Sequence, residues 1–126
     1  MRLRILIVSL TGVLALALIA TTVRASDGEV RGSCSGGSAE FRLRVRPGDE
    51  GRLRVRFEIE GSGSGERWQL FLSNDGVRII ARTKLADDGG RVRVRRATED
   101  GAGRDRISAS GVNLDTGVSC SASVTV

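Results

Sequence analysis

The 126-residue sequence contains no histidine and no tyrosine. Histidine is the most common general base near neutral pH and the most common ligand of transition metals, so its absence excludes Ser-His-Asp and Cys-His sites. Only two cysteines are present, and if they form a disulfide no thiolate remains as a nucleophile or zinc ligand. The sequence therefore predicts a protein that is not an enzyme and holds no cofactor or metal.

Aromatic residues are also scarce, since the chain has three phenylalanines and one tryptophan. Proteins that bind single-stranded nucleic acid place stacking aromatic side chains beside positive charge. Here Phe41, Phe57 and Trp68 fall at positions predicted to face a core rather than a ligand. Nucleic acid is therefore the least favoured of the anionic partners considered below.

The N-terminal segment has the pattern of an export signal. Arg2 and Arg4 precede an apolar run from Ile5 to Ala20, and residues 23–25 provide small or branched side chains at a cleavage position. We predict a signal helix in residues 1–25, cleavage after Ala25, and a protein secreted or held at the cell envelope. The alternative is an uncleaved membrane anchor, because the apolar stretch approaches the roughly 20 residues that span a bilayer.

Cleavage would leave residues 26–126, a length that suits one compact domain with one hydrophobic core. It would also remove Arg2, Arg4 and Arg24 but no carboxylate, and so lower the formal net charge from +5 to +2. The high isoelectric point of the whole chain does not by itself indicate a polyanionic partner.

Cys34 and Cys120 lie near the two ends of the predicted domain. An even number of cysteines in an exported chain predicts a disulfide between them. Closing a loop of this length stabilises a fold by about 4 to 5 kcal/mol in the chain-entropy model. Lipid attachment at Cys34 is the alternative, but Arg31 stands where a lipid-attachment motif requires aliphatic residues.

Hydrophobic and polar residues alternate through most of the predicted domain. Phe41, Leu43 and Val45 alternate with arginines, and the same period of two returns in residues 53–60 and 118–126. Glycine-rich turns separate these runs at intervals of roughly 8 to 12 residues, the spacing of short antiparallel strands. The sequence therefore predicts an all-β antiparallel sandwich of about eight strands, with both cysteines facing inward on the terminal strands.

The C-terminal stretch GAGRDRISASGVNLDTGVSCSASVTV resembles the last hairpin of bacterial immunoglobulin-like domains. In it Gly103, Asp105, Ile107 and Ala109 alternate before a turn and the final Cys120 strand. Together with ERWQLFL, the stretch is also similar to small exported proteins of high-GC bacteria. The resemblance implies an immunoglobulin-like β-sandwich that acts as a binding or structural module, and it supplies no catalytic residues.

Arginine occupies alternate positions in EFRLRVRPGDEGRLRVRFEIE, residues 40–60. Pairing of the two runs as a hairpin across residues 47–51 would place six arginines on one face. Like charges directly opposite each other destabilise a sheet. The predicted opposed pairs are Arg46 with Arg52, Arg44 with Arg54, and Arg42 with Arg56.

Two interpretations of this face remain open from the sequence. Glu40, Glu58 and Glu60 fall on the same face and would relieve the repulsion on an ordinary solvated strand surface. Alternatively, the guanidinium groups bind an anionic partner such as a phosphate-rich wall polymer, an acidic glycan or a lipid head group. A second row, Arg91, Arg93 and Arg95 with Arg96 beside it, would extend this surface or lie on the opposite sheet.

Phe71 interrupts a face that is otherwise polar. With Asp75-Gly76 as a two-residue type I′ turn, Phe71 is predicted to lie opposite Ile80 on the exposed side of a hairpin. The two residues would form either a local cross-strand pair or an anchor for a protein partner at the cell envelope.

Three carboxylate pairs occur at Asp49-Glu50, Asp87-Asp88 and Glu99-Asp100, all in glycine-rich turns. Asp stabilises such turns by hydrogen bonds to nearby backbone groups, so a structural role is favoured. Weak calcium binding by the loop from Glu99 to Asp105 is the alternative, because hard oxygen ligands on a loop suit that ion. Arg104 in the same loop counts against it.

Overall fold

The computed structural model describes residues 27–126, so the predicted signal segment and its cleavage position lie outside the described residues. Within this range the chain forms eight β-strands and no helix, and hence no helix that could cross a membrane. The strands are β1 (Gly28–Ser33), β2 (Glu40–Pro47), β3 (Arg52–Glu60), β4 (Arg67–Asn74), β5 (Val77–Leu85), β6 (Val92–Glu99), β7 (Arg106–Asn113) and β8 (Ser119–Thr125).

The strands form two four-stranded antiparallel sheets. The first sheet has the order β1-β2-β3-β6 and the second has the order β5-β4-β7-β8. Along β3, β4 and β7 alternate residues are buried between the sheets, as the period of two predicts. The predicted all-β, two-layer architecture is confirmed.

The core between the sheets is made of the inward-facing aliphatic and aromatic side chains. Trp68 on β4 and Phe57 on β3 are the two largest fully buried residues. The indole Nε1–H of Trp68 donates to Ser62 Oγ at 2.8 Å, so its one polar atom is satisfied in the core. Trp68 is therefore a core residue, as predicted.

The predicted disulfide is present. Cys34 directly follows β1, Cys120 lies on β8, and their Sγ atoms are 1.96 Å apart. Both cysteines are buried. Beside the disulfide, the backbones of Ser35 and Ser119 are joined by two hydrogen bonds. Because β1 and β8 are edge strands of different sheets, the disulfide fastens the two layers together along one side of the sandwich.

The predicted register of the β2–β3 hairpin is wrong by two residues. Arg46 lies opposite Arg54 rather than Arg52, and the last pair before the turn is Pro47 with Leu53. The turn has the expected length but lies one residue further along the chain, at residues 48–52 instead of 47–51, and in it Glu50 and Gly51 adopt positive φ, at 57° and 68°. A shift of two preserves the face of every side chain, so the arginines still share one side of the sheet.

The β4–β5 hairpin contains the predicted two-residue turn, since Asp75 and Gly76 both have positive φ. Beyond the turn, however, the register shifts by one residue between Leu72 and Ser73, so that Leu72 pairs with Ile80. This bulge reverses the faces of the following β5 residues. Ile80 is consequently buried in the core at 7% exposure, and Phe71 pairs with Ala81.

Candidate anion-binding face

The outer face of the first sheet carries most of the arginines of the domain. Four strands lie side by side here, and the aligned residues form rows across the sheet. One row runs Glu29, Arg44, Arg56, Arg95, and the next runs Arg31, Arg42, Glu58, Arg93. Neighbouring strands are about 4.8 Å apart and alternate residues along a strand about 6.7 Å apart, so the side chains of this face extend from a regular lattice of backbone positions.

At one end of this face, arginine and glutamate are interleaved. We call it the paired end. Glu58 lies at its centre with a side chain only 10% exposed, and its carboxylate contacts guanidinium nitrogens of Arg91 at 3.1 Å, Arg93 at 3.2 Å and Arg56 at 3.4 Å. Burial alone would raise the pKa of Glu58, but contact with Glu60 and the charges of the arginines lower it below the ordinary value.

Glu29 provides a second carboxylate at the paired end. It accepts hydrogen bonds from Nε of Arg31, at 2.9 Å, and Nε of Arg42. These contacts lower the pKa of Glu29, chiefly through the hydrogen bond from Arg31. Glu29 lies opposite Arg44 in the register, but its carboxylate is already engaged by the other two arginines.

At the other end of the face, arginine predominates. We call this surface the arginine end. Ala97 takes the place next to Arg54 where the row would otherwise continue with a long side chain, and the result is an open groove of about 500 Å³. Six arginines line it: Arg44, Arg46, Arg54, Arg56, Arg95 and Arg96.

Few carboxylates neutralise the arginine end. Arg56 shares the Glu58 carboxylate with two other arginines, and Arg54 reaches Asp49 at 3.6 Å. Asp49 is 94% exposed, and such a surface ion pair contributes little. Within residues 27–126, the other four guanidinium groups have no carboxylate within 4.0 Å.

Arg56 lies where the two ends meet. Its Nε–H is buried and has no hydrogen-bond partner among the described residues. Burial, followed by repulsion from Arg93 and Arg95, lowers the pKa of the Arg56 guanidinium below its ordinary value. Since the ordinary pKa of arginine lies far above neutral pH, the group stays charged at neutral pH, and the positive potential around it is only partly compensated.

The six arginines predicted from residues 40–60 do share one face, but they do not form one patch. Arg42 lies at the paired end, opposite Glu58, and Arg52 lies opposite Glu99 at the margin of the sheet. The remaining four are joined by Arg95 and Arg96 of β6. The sequence left the position of the β6 row open, because nothing in its alternation indicates which strand β6 pairs with.

The predicted contact surface of Phe71 and Ile80 does not form as expected, because Ile80 points into the core. Phe71 is partly covered by the Arg78 guanidinium, whose central carbon lies 4.4 Å from the centre of the ring. This is a cation–π contact of the kind that screens a half-buried aromatic side chain. The two residues therefore lie on opposite faces and cannot act as one anchor.

The carboxylate pair at Asp87-Asp88 has the local role favoured from the sequence. Asp87 Oδ1 accepts the backbone N–H of Gly89 at 3.0 Å and of Arg91 at 2.9 Å, which closes the turn before β6.

No family model matches this chain, and a search of curated proteins returns no match.

Proposed function

We propose that this protein is a non-catalytic binding module of the cell envelope or extracellular space, and that it binds anionic polymers through the arginine end of its first sheet. The single observation that carries the proposal is the groove lined by six guanidinium groups, four of them without a carboxylate within 4.0 Å in the described chain. A phosphate-rich wall polymer or an acidic glycan would supply the missing negative charge.

We also propose an immunoglobulin-like type for the sandwich. If β2 is taken as the first strand of such a domain, β2-β3-β6 corresponds to the A, B and E strands. The second sheet, β5-β4-β7-β8, then corresponds to C′, C, F and G. Trp68 lies on the strand that takes the place of C, where immunoglobulin domains bury a tryptophan. The disulfide departs from that pattern, because it joins the segment after β1 to β8 rather than B to F.

Export is supported by the disulfide, since such bonds persist in oxidising compartments. A binding role rather than catalysis is supported by the side chains available. The sequence has no histidine, and both cysteines are held in the disulfide.

The geometry of the arginine end suits a repeating anion. Guanidinium groups bind phosphate, sulfate-like and carboxylate oxygens through paired N–H donors. The lattice of about 4.8 by 6.7 Å allows several charges of one extended polymer to be contacted at once. Each contact releases counterions, so binding should weaken steeply with salt, by about one unit of log–log slope per charge contacted.

The test compares retention of the purified protein on immobilised heparin and on immobilised polyphosphate. A triple variant, Arg46→Thr, Arg54→Thr and Arg95→Thr, removes three exposed charges while keeping residues that favour strands. We expect it to elute at much lower salt, with the salt-dependence slope reduced by about three. The two columns distinguish a sulfated or carboxylated glycan from a phosphate polymer.

A matched control removes the same charge elsewhere. Arg78→Thr, Arg82→Thr and Arg106→Thr change three exposed arginines on the strands of the second sheet. We expect this variant to be retained nearly as well as the parent. Equal loss in both variants would attribute retention to net charge alone, and unchanged retention in the first variant would rule out the arginine end.

A further inference from the structure

Two buried side-chain oxygens at one end of the sandwich have no hydrogen-bond partner among the described residues. They are Oδ2 of Asp105, a residue only 1% exposed, and Oδ1 of Asn74. Buried polar atoms in folded proteins are almost always paired, with protein groups, water or an ion. Two orphaned acceptors in the same region therefore indicate a missing electropositive partner.

The fold brings these two oxygens to the same end of the second sheet. Asn74 ends β4 and lies opposite Ile107 of β7, and Asp105 precedes Ile107 by two residues. Since Ile107 is fully buried, residues opposite it and two positions away lie on the same inward side. Both side chains therefore point between the layers rather than into solvent.

The connection from β6 to β7 folds over this end and is held to both side chains. Asn74 Nδ2 donates to the carbonyl oxygen of Glu99 at 3.1 Å, and Asp105 Oδ1 accepts the N–H of Gly101 at 3.1 Å. Each side chain thus uses one polar atom to fix the loop and leaves one oxygen unused. The position of these oxygens is set by the fold and not by a freely rotating surface side chain.

Negative charge accumulates at the same place. Burial, and then contact with the Asp100 carboxyl group, raises the pKa of Asp105 above its ordinary value. The carboxyl group of Asp75 also contacts that of Asp105. A cation bound here would compensate the buried carboxylate of Asp105, whose Oδ2 has no partner among the described residues.

We propose that Asp105, Asp100 and Asn74 bind a calcium ion at this end of the sandwich. Calcium accepts carboxylate, amide and backbone carbonyl oxygens in flexible geometry, whereas magnesium requires near-ideal octahedral coordination. No group of three or more His, Cys, Asp or Glu residues suited to a metal occurs within residues 27–126. The proposed ligands are the carboxylates of Asp105 and Asp100, completed by the Asn74 amide oxygen, backbone carbonyls and water. Such a site is independent of the arginine end.

The test is thermal unfolding of the purified protein in EDTA, in calcium chloride and in magnesium chloride of equal ionic strength. Extracellular calcium modules bind with dissociation constants of about 0.1 to 1 mM. At about 10 mM calcium, such a site would raise the melting temperature by roughly 5 °C or more. Magnesium should raise the melting temperature much less. Calorimetric titration should show that about one calcium ion binds per chain.

Asp105→Asn separates a specific site from general screening. This variant should lose the calcium shift, yet in EDTA it should be at least as stable as the parent, because an unpaired buried charge has been removed. Asp88→Asn is the matched control, since Asp88 is an exposed carboxylate in another turn, and it should keep the shift.

Three outcomes would overturn the proposal. One is the absence of a calcium shift in the parent, and another is an equal shift in the parent and in Asp105→Asn. The third is a parent that ignores calcium but gains stability in EDTA as the pH falls from about 7 to 5, which would show that the partner of Asp105 is a proton.

Discussion

Glu58→Gln probes the charge arrangement of the first sheet most sharply. Glu58 has an almost fully buried side chain and is contacted by three arginines at 3.1 to 3.4 Å. Removal of one partner from a buried ion pair costs about 3 to 5 kcal/mol. The three arginine side chains are 32 to 47% exposed and can turn toward water, so a smaller cost applies. We expect the free energy of unfolding to fall by about 2 to 3 kcal/mol, which lowers the melting temperature by roughly 10 to 20 °C.

The pH dependence of this difference has a defined sign. The pKa of Glu58 is lower in the folded protein than in the unfolded chain, so the folded state favours the ionised form. Its stabilisation is therefore complete at neutral pH and is lost as the pH falls through the folded pKa. Urea unfolding at pH 7 and at about pH 3 should show a large difference between the parent and Glu58→Gln that shrinks in acid.

Glu60→Gln is the matched control for this experiment. Glu60 is 55% exposed and forms an ion pair only with Arg91 among the described residues, at 2.9 Å, so its loss should cost about 1 kcal/mol or less. Glu58→Gln should also bind heparin more tightly than the parent, because it removes negative charge beside the arginine end. Equal destabilisation by the two variants, or weaker heparin binding by Glu58→Gln, would refute the reasoning.

Two further predictions concern the fold itself. Replacement of both Cys34 and Cys120 by Ala should lower the free energy of unfolding by about 4 kcal/mol, measured by urea unfolding. An unchanged urea midpoint would mean that the disulfide does not constrain the unfolded chain. Ile80→Ser should cost about 3 kcal/mol or more because Ile80 is a core residue, whereas Phe71→Ser should cost only about 1 kcal/mol. The reverse order of these two losses would place Ile80 on the exposed face and contradict the bulge.

Much of the fold follows from the period of two. The alternation in residues 40–60 and 118–126 assigns each residue to a buried or exposed face, and this assignment holds in the structure because the register shift of two in the β2–β3 hairpin leaves every face unchanged. The disulfide was predictable because both cysteines fall on inward-facing positions near the chain ends. Burial of Trp68 was predictable for the same reason.

The errors have local physical causes. The β2–β3 turn lies one residue further along the chain than predicted, with Glu50 at positive φ, and glutamate gives no sequence signal for that conformation. The two-residue turn of the β4–β5 hairpin was predicted correctly, but the bulge beside it turns Ile80 from the predicted exposed face into the core. One inserted residue was enough to invert the predicted exposure of the rest of β5.

The composition of the arginine end could not be predicted, because it depends on strands distant in sequence. Arg95 joins Arg56 only because β6 pairs with β3 after two strands of the other sheet have intervened. Arg42 leaves the cluster because Glu58 lies opposite it. Both facts belong to the topology of the sheets and not to the alternation within a strand.

Titration of the isotopically labelled protein with a short heparin oligosaccharide, followed by nuclear magnetic resonance, tests the central claim most directly. The account predicts saturable shifts in the side-chain Nε–H signals of Arg46, Arg54, Arg56 and Arg95 and in the backbone amide of Ala97. Shifts confined to the paired end or the second sheet, or the absence of saturable shifts at low salt, would contradict it.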